Sequence, residues 1–230
     1  MLFKESVTIA LTALLSNKLR SILTMLGIII GIAAVIVMIS IGMGVRKNIT
    51  DSIASLGSNM LIVTPNSSNS RGMRAAAGSG KKLKLDDATA IKKRIKNIDY
   101  VAPTVSASYQ VVNGNENWNT SVYGVTPEYL QIRSLTVTSG SFISQADLDS
   151  RNRVAVIGST VAGNLYGSEN PVGKNIRVNN QPFKVIGVLE KKGQASMGGD
   201  QDDVVLVPLT TAQERLMGIT YIRSINIQVS

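Results

Sequence analysis

The sequence predicts an α+β chain: one membrane-spanning helix prolonged as a helical stalk, followed by a mixed α/β domain. Three observations predict it. Residues 21–45 form a run of 25 without a single charge. Apolar residues continue at helical spacing beyond that run, at Val45, Ile49, Ile53 and Leu56. From Tyr100 onward, short β-type runs alternate with helical stretches and are punctuated by Asn- and Gly-rich turns.

At the amino end, Phe3, Val7, Leu11, Leu14, Leu15, Leu19 and Ile22 recur in steps of mostly three and four, with Lys4, Glu5, Thr8, Thr12 and Ser16 between them. Residues 1–20 are therefore expected to form an amphipathic helix lying in the membrane interface. Residues 21–45 follow as the span. At ~1.5 Å of rise per residue they make a helix of roughly 38 Å, enough to cross a hydrocarbon core of ~30 Å. A cleaved export signal would have an apolar region of about 7–15 residues and a small-residue cleavage site. Here Ile41-Gly42-Met43-Gly44 leads straight into Val45-Arg46-Lys47, so the expectation is an uncleaved helix. Gly27 and Gly31, four apart and followed by Ala33 and Ala34, make one face small and are the helix-packing candidates.

Val45, Ile49, Ile53 and Leu56 are the stalk candidates, with Gly57 as the stop. "NMLIVTP" reads as a buried strand ended by Pro65, and "NSSNSRGMRAAAGSG" as a low-complexity loop. A helix capped by Asp86 or Asp87 is expected next, with Ile91, Ile95 and Ile98 as its apolar stripe. "NGNEN" (113–117) reads as a hairpin tip, "RVAVIGSTVAGNLYG" as a strand turning into a helix near Ser159, and Asn179-Asn180 as a tight turn between strands. The closing "DDVVLVPLTTAQERLMGITYIRSINIQV" reads strand, helix, strand, with Thr210 or Thr211 as helix cap.

Composition removes several kinds of chemistry. The chain has no cysteine and no histidine, which excludes disulfides, thiolate catalysis and any histidine-based triad. "GSGKK" at 78–82 resembles a phosphate loop, but Ala75 stands at the first glycine position and Lys82 where Ser or Thr should follow the lysine. Ser79 and Lys82 have Ser-x-x-Lys spacing without the companion motifs of serine acyl-enzymes. Asp200, Asp202 and Asp203 do not follow the spacing of a calcium loop and read as a turn before a strand. No catalytic, cofactor-binding or metal-ligating residue is therefore expected. Trp118 and Tyr123 fall on one strand, where cross-strand packing competes with substrate contact.

Formal net charge is +9, and residues 71–96 hold nine cations against Asp86 and Asp87. Such a stretch reads as a solvated face with a loop, or as a surface for anionic lipid or an acidic partner. Nucleic acid is not expected as a partner, because no aromatic residues are interleaved with the cations.

Six segments taken in order, "NKLRSILTMLGIIIGIAAVIVMISIGMG", "LGSNMLIVTP", "VYGVTPEYL", "VAVIGSTVAGNLYGSENPVGKNIRV", "FKVIGVLEKKG" and "DDVVLVPLTTAQERLMG", resemble the permease subunits of MacB-type ABC transporters. That group is related to lipoprotein-release permeases and FtsX-like proteins. The resemblance implies a cytoplasmic helix at 1–20, a transmembrane helix at 21–45 and an extracytoplasmic core domain at 46–230. It also implies two lobes, one of 46–112 plus 200–230 and one of 113–199. Implied partners are a cytoplasmic ABC ATPase, a second permease copy, a membrane-fusion adaptor and the lipid bilayer. The implied place is the inner membrane, and the implied work is coupling ATP hydrolysis to efflux of drugs, peptides or lipoproteins. Permeases of this kind carry three more membrane helices after the outer domain, so a chain ending at Ser230 is expected to be their amino-terminal part. The alternative is a single-pass anchored binding or adhesion module.

Overall fold

A computed structural model describes residues 2–55, 59–65, 82–194 and 199–229. Much of the basic stretch and most of the phosphate-loop look-alike, including Arg71, Arg74, Ser79 and Lys81, lie outside the described residues, as does Leu56 of the stalk. By its contacts the chain forms two units, residues 1–51 and 52–230.

The first unit is helical. Helix α1 (Leu2–Ser16) satisfies its polar side internally: the Thr8 hydroxyl donates to the Lys4 carbonyl at 2.8 Å and Thr12 to that of Thr8 at 2.7 Å. Asn17 interrupts it, and the Asn17 carbonyl then accepts from Ser21 N–H to start α2 (Lys18–Ser55). Helix α2 is one uninterrupted helix of 38 residues that contains the apolar span together with Val45, Ile49 and Ile53. Side chains 22–47 are all exposed. So large an apolar surface left open by the protein itself is what a bilayer covers.

The second unit is built on a nine-stranded mixed sheet. Strand β1 (Met60–Val63) pairs along one side with β9 (Ser224–Val229) and ends the sheet. The expected buried strand is thus an edge strand: Leu61 is 58% and Ile62 53% exposed, while Met60 and Val63 are half-buried against the core clusters. Lys82 places its ammonium 4.3 Å from the centre of the Tyr221 ring, and the Leu83 carbonyl accepts from Ile222 N–H. Helix α3 (Leu85–Arg94) takes Asp87 as a cap from inside its first turn: Lys84 N–H donates to Asp87 Oδ2 at 2.7 Å. Its apolar stripe is shorter than expected. Ile91 packs on the core, but Ile95 is 54% exposed beyond the last turn and Ile98 already opens β2 (Ile98–Asn113), because Asn97 at φ +66° redirects the chain.

Strand β2 joins the parts of the sheet. Its first half pairs with β9 and its second half with β3 (Glu116–Val125), through a two-residue turn at Gly114-Asn115 in which Gly114 has φ +58°. Then come α4 (Tyr129–Ile132), β4 (Val137–Gly140), α5 (Gln145–Asp149), β5 (Val154–Ile157) and α6 (Ser159–Tyr166). Next are β6 (Asn175–Val178) and β7 (Gln181–Leu189), whose turn residues Asn179 and Asn180 both have positive φ, as a tight hairpin of right-twisted strands requires. The chain ends with β8 (Val204–Pro208), α7 (Leu209–Thr211), a π-helical turn at Ala212–Met217, and β9. Thr210 and Thr211 are not caps. They lie within the helical turn and donate to the carbonyls of Leu148 at 2.7 Å and Asn152 at 2.9 Å, while Pro208 precedes the helix.

Strand order is β1-β9-β2-β3-β8-β5-β7-β4, with β6 beside β2 and β7; β3–β8 and β5–β7 are parallel and the other pairs antiparallel. The central strands read "VAVI" and "VVLVP" because both faces are covered. Ala155, Ile157, Val205 and Val207 enter one core cluster with Val122, Phe183 and Ile225, whereas Val156 and Leu206 enter a second with Tyr129, Ile132 and Leu189.

Candidate functional site

Helix α2 brings the membrane span and three of the four stalk candidates into one element. Val45 and Ile49 are exposed on it, Ile53 lies in it, and Thr50 returns its hydroxyl to the Arg46 carbonyl at 2.9 Å, so a polar residue is carried without breaking the backbone ladder. At Gly27 and Gly31 an added Cβ would meet nothing within 4 Å, which leaves both glycines open on the helix surface. Such a face can take another helix at close backbone approach.

A concave site lies in the second unit, over the end of α4. Its cavity of about 230 Å3 is lined by Tyr123, Tyr129, Arg133, Leu135, Leu189, Lys192, Asp200 and Leu206, among others. The short helix sets it up. Tyr129 N–H donates to the Thr126 carbonyl to begin the turn, and Ser134 at φ +45° ends it, so that Leu135 N–H reaches back to the Leu130 carbonyl. Arg133 is thereby held at the carboxyl end of α4, with its guanidinium 6.0 Å from the centre of the Tyr129 ring and Nη1 3.9 Å from Met60 Sδ. Lys192 Nζ donates to the Arg133 carbonyl at 2.7 Å, where the negative end of a helical turn favours a cation.

An aspartate turn fixes the Lys192 backbone. Buried Asp202 accepts from the N–H groups of Lys192 and Gly193, both at 2.8 Å, and its own N–H donates to Asp200 Oδ1 at 2.9 Å. Asp200 Oδ2 accepts from the Thr160 hydroxyl at 2.6 Å, and Asp203 Oδ1 accepts from Trp118 Nε1 at 2.8 Å. All three carboxylates thus accept hydrogen bonds from within the protein. Among the described residues no three His, Cys, Asp or Glu side chains gather to hold a metal ion.

At the cavity, burial and charge act together on Lys192. Burial pushes the Lys192 ammonium below its ordinary pKa and the neighbouring Arg133 charge adds to this, against the opposing pull of Asp202 and Glu190. Burial raises the Tyr129 phenol, with Arg133 counteracting, so the phenol stays a hydrogen-bond donor at neutral pH.

Of the residues singled out in the sequence, Tyr123 and Asp200 come together at this cavity, and Trp118 faces Asp203 instead. Arg133, Lys192 and Tyr129 were not legible as site residues. Arg133 follows a four-residue helix too short to show periodicity, and Lys192 meets it from 59 residues away in the chain.

The profile of the MacB-like periplasmic core domain matches residues 21–230. A macrolide export ATP-binding/permease protein MacB of Bdellovibrio bacteriovorus is 44% identical over 216 residues, which is 94% of this chain and 33% of that protein. The namesake protein of Chlorobium luteolum is 39% identical over 220 residues, 96% of this chain and 33% of its own length. The chain thus spans about a third of the length of these relatives. Among solved structures, the periplasmic region of MacB from Actinobacillus actinomycetemcomitans superposes with a TM-score of 0.62 at 28% identity, covering 77% of this chain and 78% of that one. The extracellular domain of the noncanonic ABC-type transporter YknZ from Gram-positive bacteria shares the fold, with a TM-score of 0.57 at 21% identity over 65% of this chain and 74% of that one.

Proposed function

Because the chain belongs to the MacB-like periplasmic core domain family, we propose that it is the amino-terminal part of an ABC-exporter permease that turns cytoplasmic ATP hydrolysis into movement of an outer domain. In this reading α1 lies at the cytoplasmic interface, residues 21–45 of α2 cross the inner membrane and residues 46–230 form the extracytoplasmic domain. In the same reading that domain is taken as a lobe of 46–112 plus 200–230 and a lobe of 113–199. The chain itself is not an enzyme; the ATPase is a separate subunit or domain docked from the cytoplasm. A second permease copy packs against the face of Gly27 and Gly31, and an adaptor meets the outer domain. The cargo is a drug, peptide or lipoprotein.

The observation that carries this reading is the continuity of α2 from Lys18 to Ser55. A helix without a break transmits tilt or rotation from the span into the stalk, whereas a simple anchor works equally well through a flexible linker. The test is Ile49→Pro in the full-length permease paired with its ATPase. Proline removes a backbone hydrogen bond and clashes with the preceding turn, at a cost of about 3 kcal/mol. ATP hydrolysis should persist while export is lost, and Ile49→Ala should be far milder because the helix is preserved. A proline variant that folds, reaches the membrane and exports at the normal rate would make the stalk a mere tether and favour the anchored-module reading.

A further inference from the structure

The cavity over α4 has a composition that points to a ligand class. Its lining holds two cations and two phenols, Arg133, Lys192, Tyr123 and Tyr129, together with Leu135, Leu189 and Leu206. Among the described residues no carboxylate forms an ion pair with Arg133; the two ion pairs present are Arg151 with Glu214 and Lys174 with Glu169, both elsewhere. Asp200, the one carboxylate among the described lining residues, already accepts from Thr160 and from the Asp202 backbone. An arginine at a cavity wall, its guanidinium 6.0 Å from the centre of one tyrosine ring and without an ion-paired carboxylate among the described residues, offers a planar fork for a two-oxygen acceptor.

We propose that this cavity binds a carboxylate borne on a compact apolar body, with the carboxylate set against Arg133 and Lys192 and the apolar part against Leu135, Leu189 and Leu206. An anion here would accept charge-assisted hydrogen bonds from both cations. The cavity, about 230 Å3, falls below the ~300–1,000 Å3 usual for drug-sized ligands. It therefore takes a small acid, or the carboxyl-terminal residue of a longer chain, and not a whole drug-sized molecule. Both sources present the same chemistry. The proposal stands apart from the reading of the chain as a permease part, because it uses no property of α2.

The test is calorimetric titration of the full chain in nanodiscs of zwitterionic lipid with N-acetyl-leucine, N-acetyl-leucinamide and 4-methylpentanoate. Saturable binding of N-acetyl-leucine is expected, with the amide at least about tenfold weaker, since the charge-assisted bonds are lost. Equal binding of 4-methylpentanoate identifies a free acid as sufficient, and selective binding of N-acetyl-leucine identifies a peptide terminus; either outcome supports the carboxylate site. Arg133→Gln should weaken N-acetyl-leucine by about tenfold while circular dichroism and the melting temperature show a folded chain. Lack of saturation by both acids up to about 10 mM, a weaker affinity than a ligand of this size should show in a matched site, overturns the proposal. So does equal affinity of acid and amide for the wild-type chain, whether or not the Arg133 variant folds.

Discussion

The indole N–H of Trp118 donates to Asp203 Oδ1 across 2.8 Å, tying β3 to the turn that feeds the parallel strand β8. Trp118 is the only tryptophan of the chain, so this bond can be read optically. Asp203→Ala should shift the emission of the folded protein and cost about 1 kcal/mol, the usual net worth of a hydrogen bond that is only partly withdrawn from water. Urea unfolding followed by fluorescence and circular dichroism measures both. An unchanged spectrum and midpoint would mean that the bond does not form in solution.

Gly158 and Gly163 should respond in opposite directions to alanine. The Gly158 N–H donates to the Val204 carbonyl at 2.9 Å, and a Cβ there would overlap the backbone carbonyl of Asp202. Gly158→Ala should therefore destabilise by about 1–3 kcal/mol through forced backbone displacement. Gly163 lies within α6 with nothing near its absent Cβ, so Gly163→Ala should stabilise by roughly 0.5–1 kcal/mol. Thermal unfolding of the pair against wild type checks both signs.

Orientation can be tested with one cysteine, since the chain has none of its own. Ser108 is exposed on β2, and Ser108→Cys should react with a membrane-impermeant thiol reagent in intact cells whose outer envelope admits it. The flanking charges decide little here, because Lys4, Lys18 and Arg20 before the span face Arg46 and Lys47 after it. Labelling confined to lysed cells would place the domain on the cytoplasmic side.

Lys192 should leave a signature at alkaline pH. Its folded pKa is lowered, by burial first and by Arg133 second, so the unfolded chain binds more protons between that value and the ordinary lysine value of 10.5. Stability therefore rises with pH across that window, and the penalty is fully present below it. In Lys192→Met the rise contributed by this group should disappear. Chemical denaturation midpoints at several pH values between neutrality and the lysine range measure the difference, and identical slopes in both proteins would reject it.

The turns show how far local reading reaches. Gly114-Asn115 and Asn179-Asn180 were legible because positive φ costs least for glycine and asparagine, and the turns at those places take positive φ. The strand-to-helix switch near Ser159 was legible from the change of apolar period. Ile95 and Ile98 were misassigned to the α3 stripe because helical spacing alone does not see Asn97 turning the chain. "NMLIV" was read as buried because hydrophobicity reports preference, and exposure at a sheet edge depends on what packs there.

By itself the sequence determined what is local and periodic: an uncharged helix long enough for a bilayer, its prolongation through Ile53, hairpin turns and the absence of thiol and imidazole chemistry. These follow from backbone sterics, from the period of apolar residues and from composition. Tertiary structure decided what depends on distant partners. It made β2 the strand shared by β9 and β3, gave the "VAVI" and "VVLVP" strands two covered faces, and left β1 at an edge. It also set Lys192 against the carbonyl of Arg133, a meeting across 59 residues of chain that no local pattern encodes. Such a contact exists because packing two buried faces of one sheet fixes where the ends of its strands and short helices must lie.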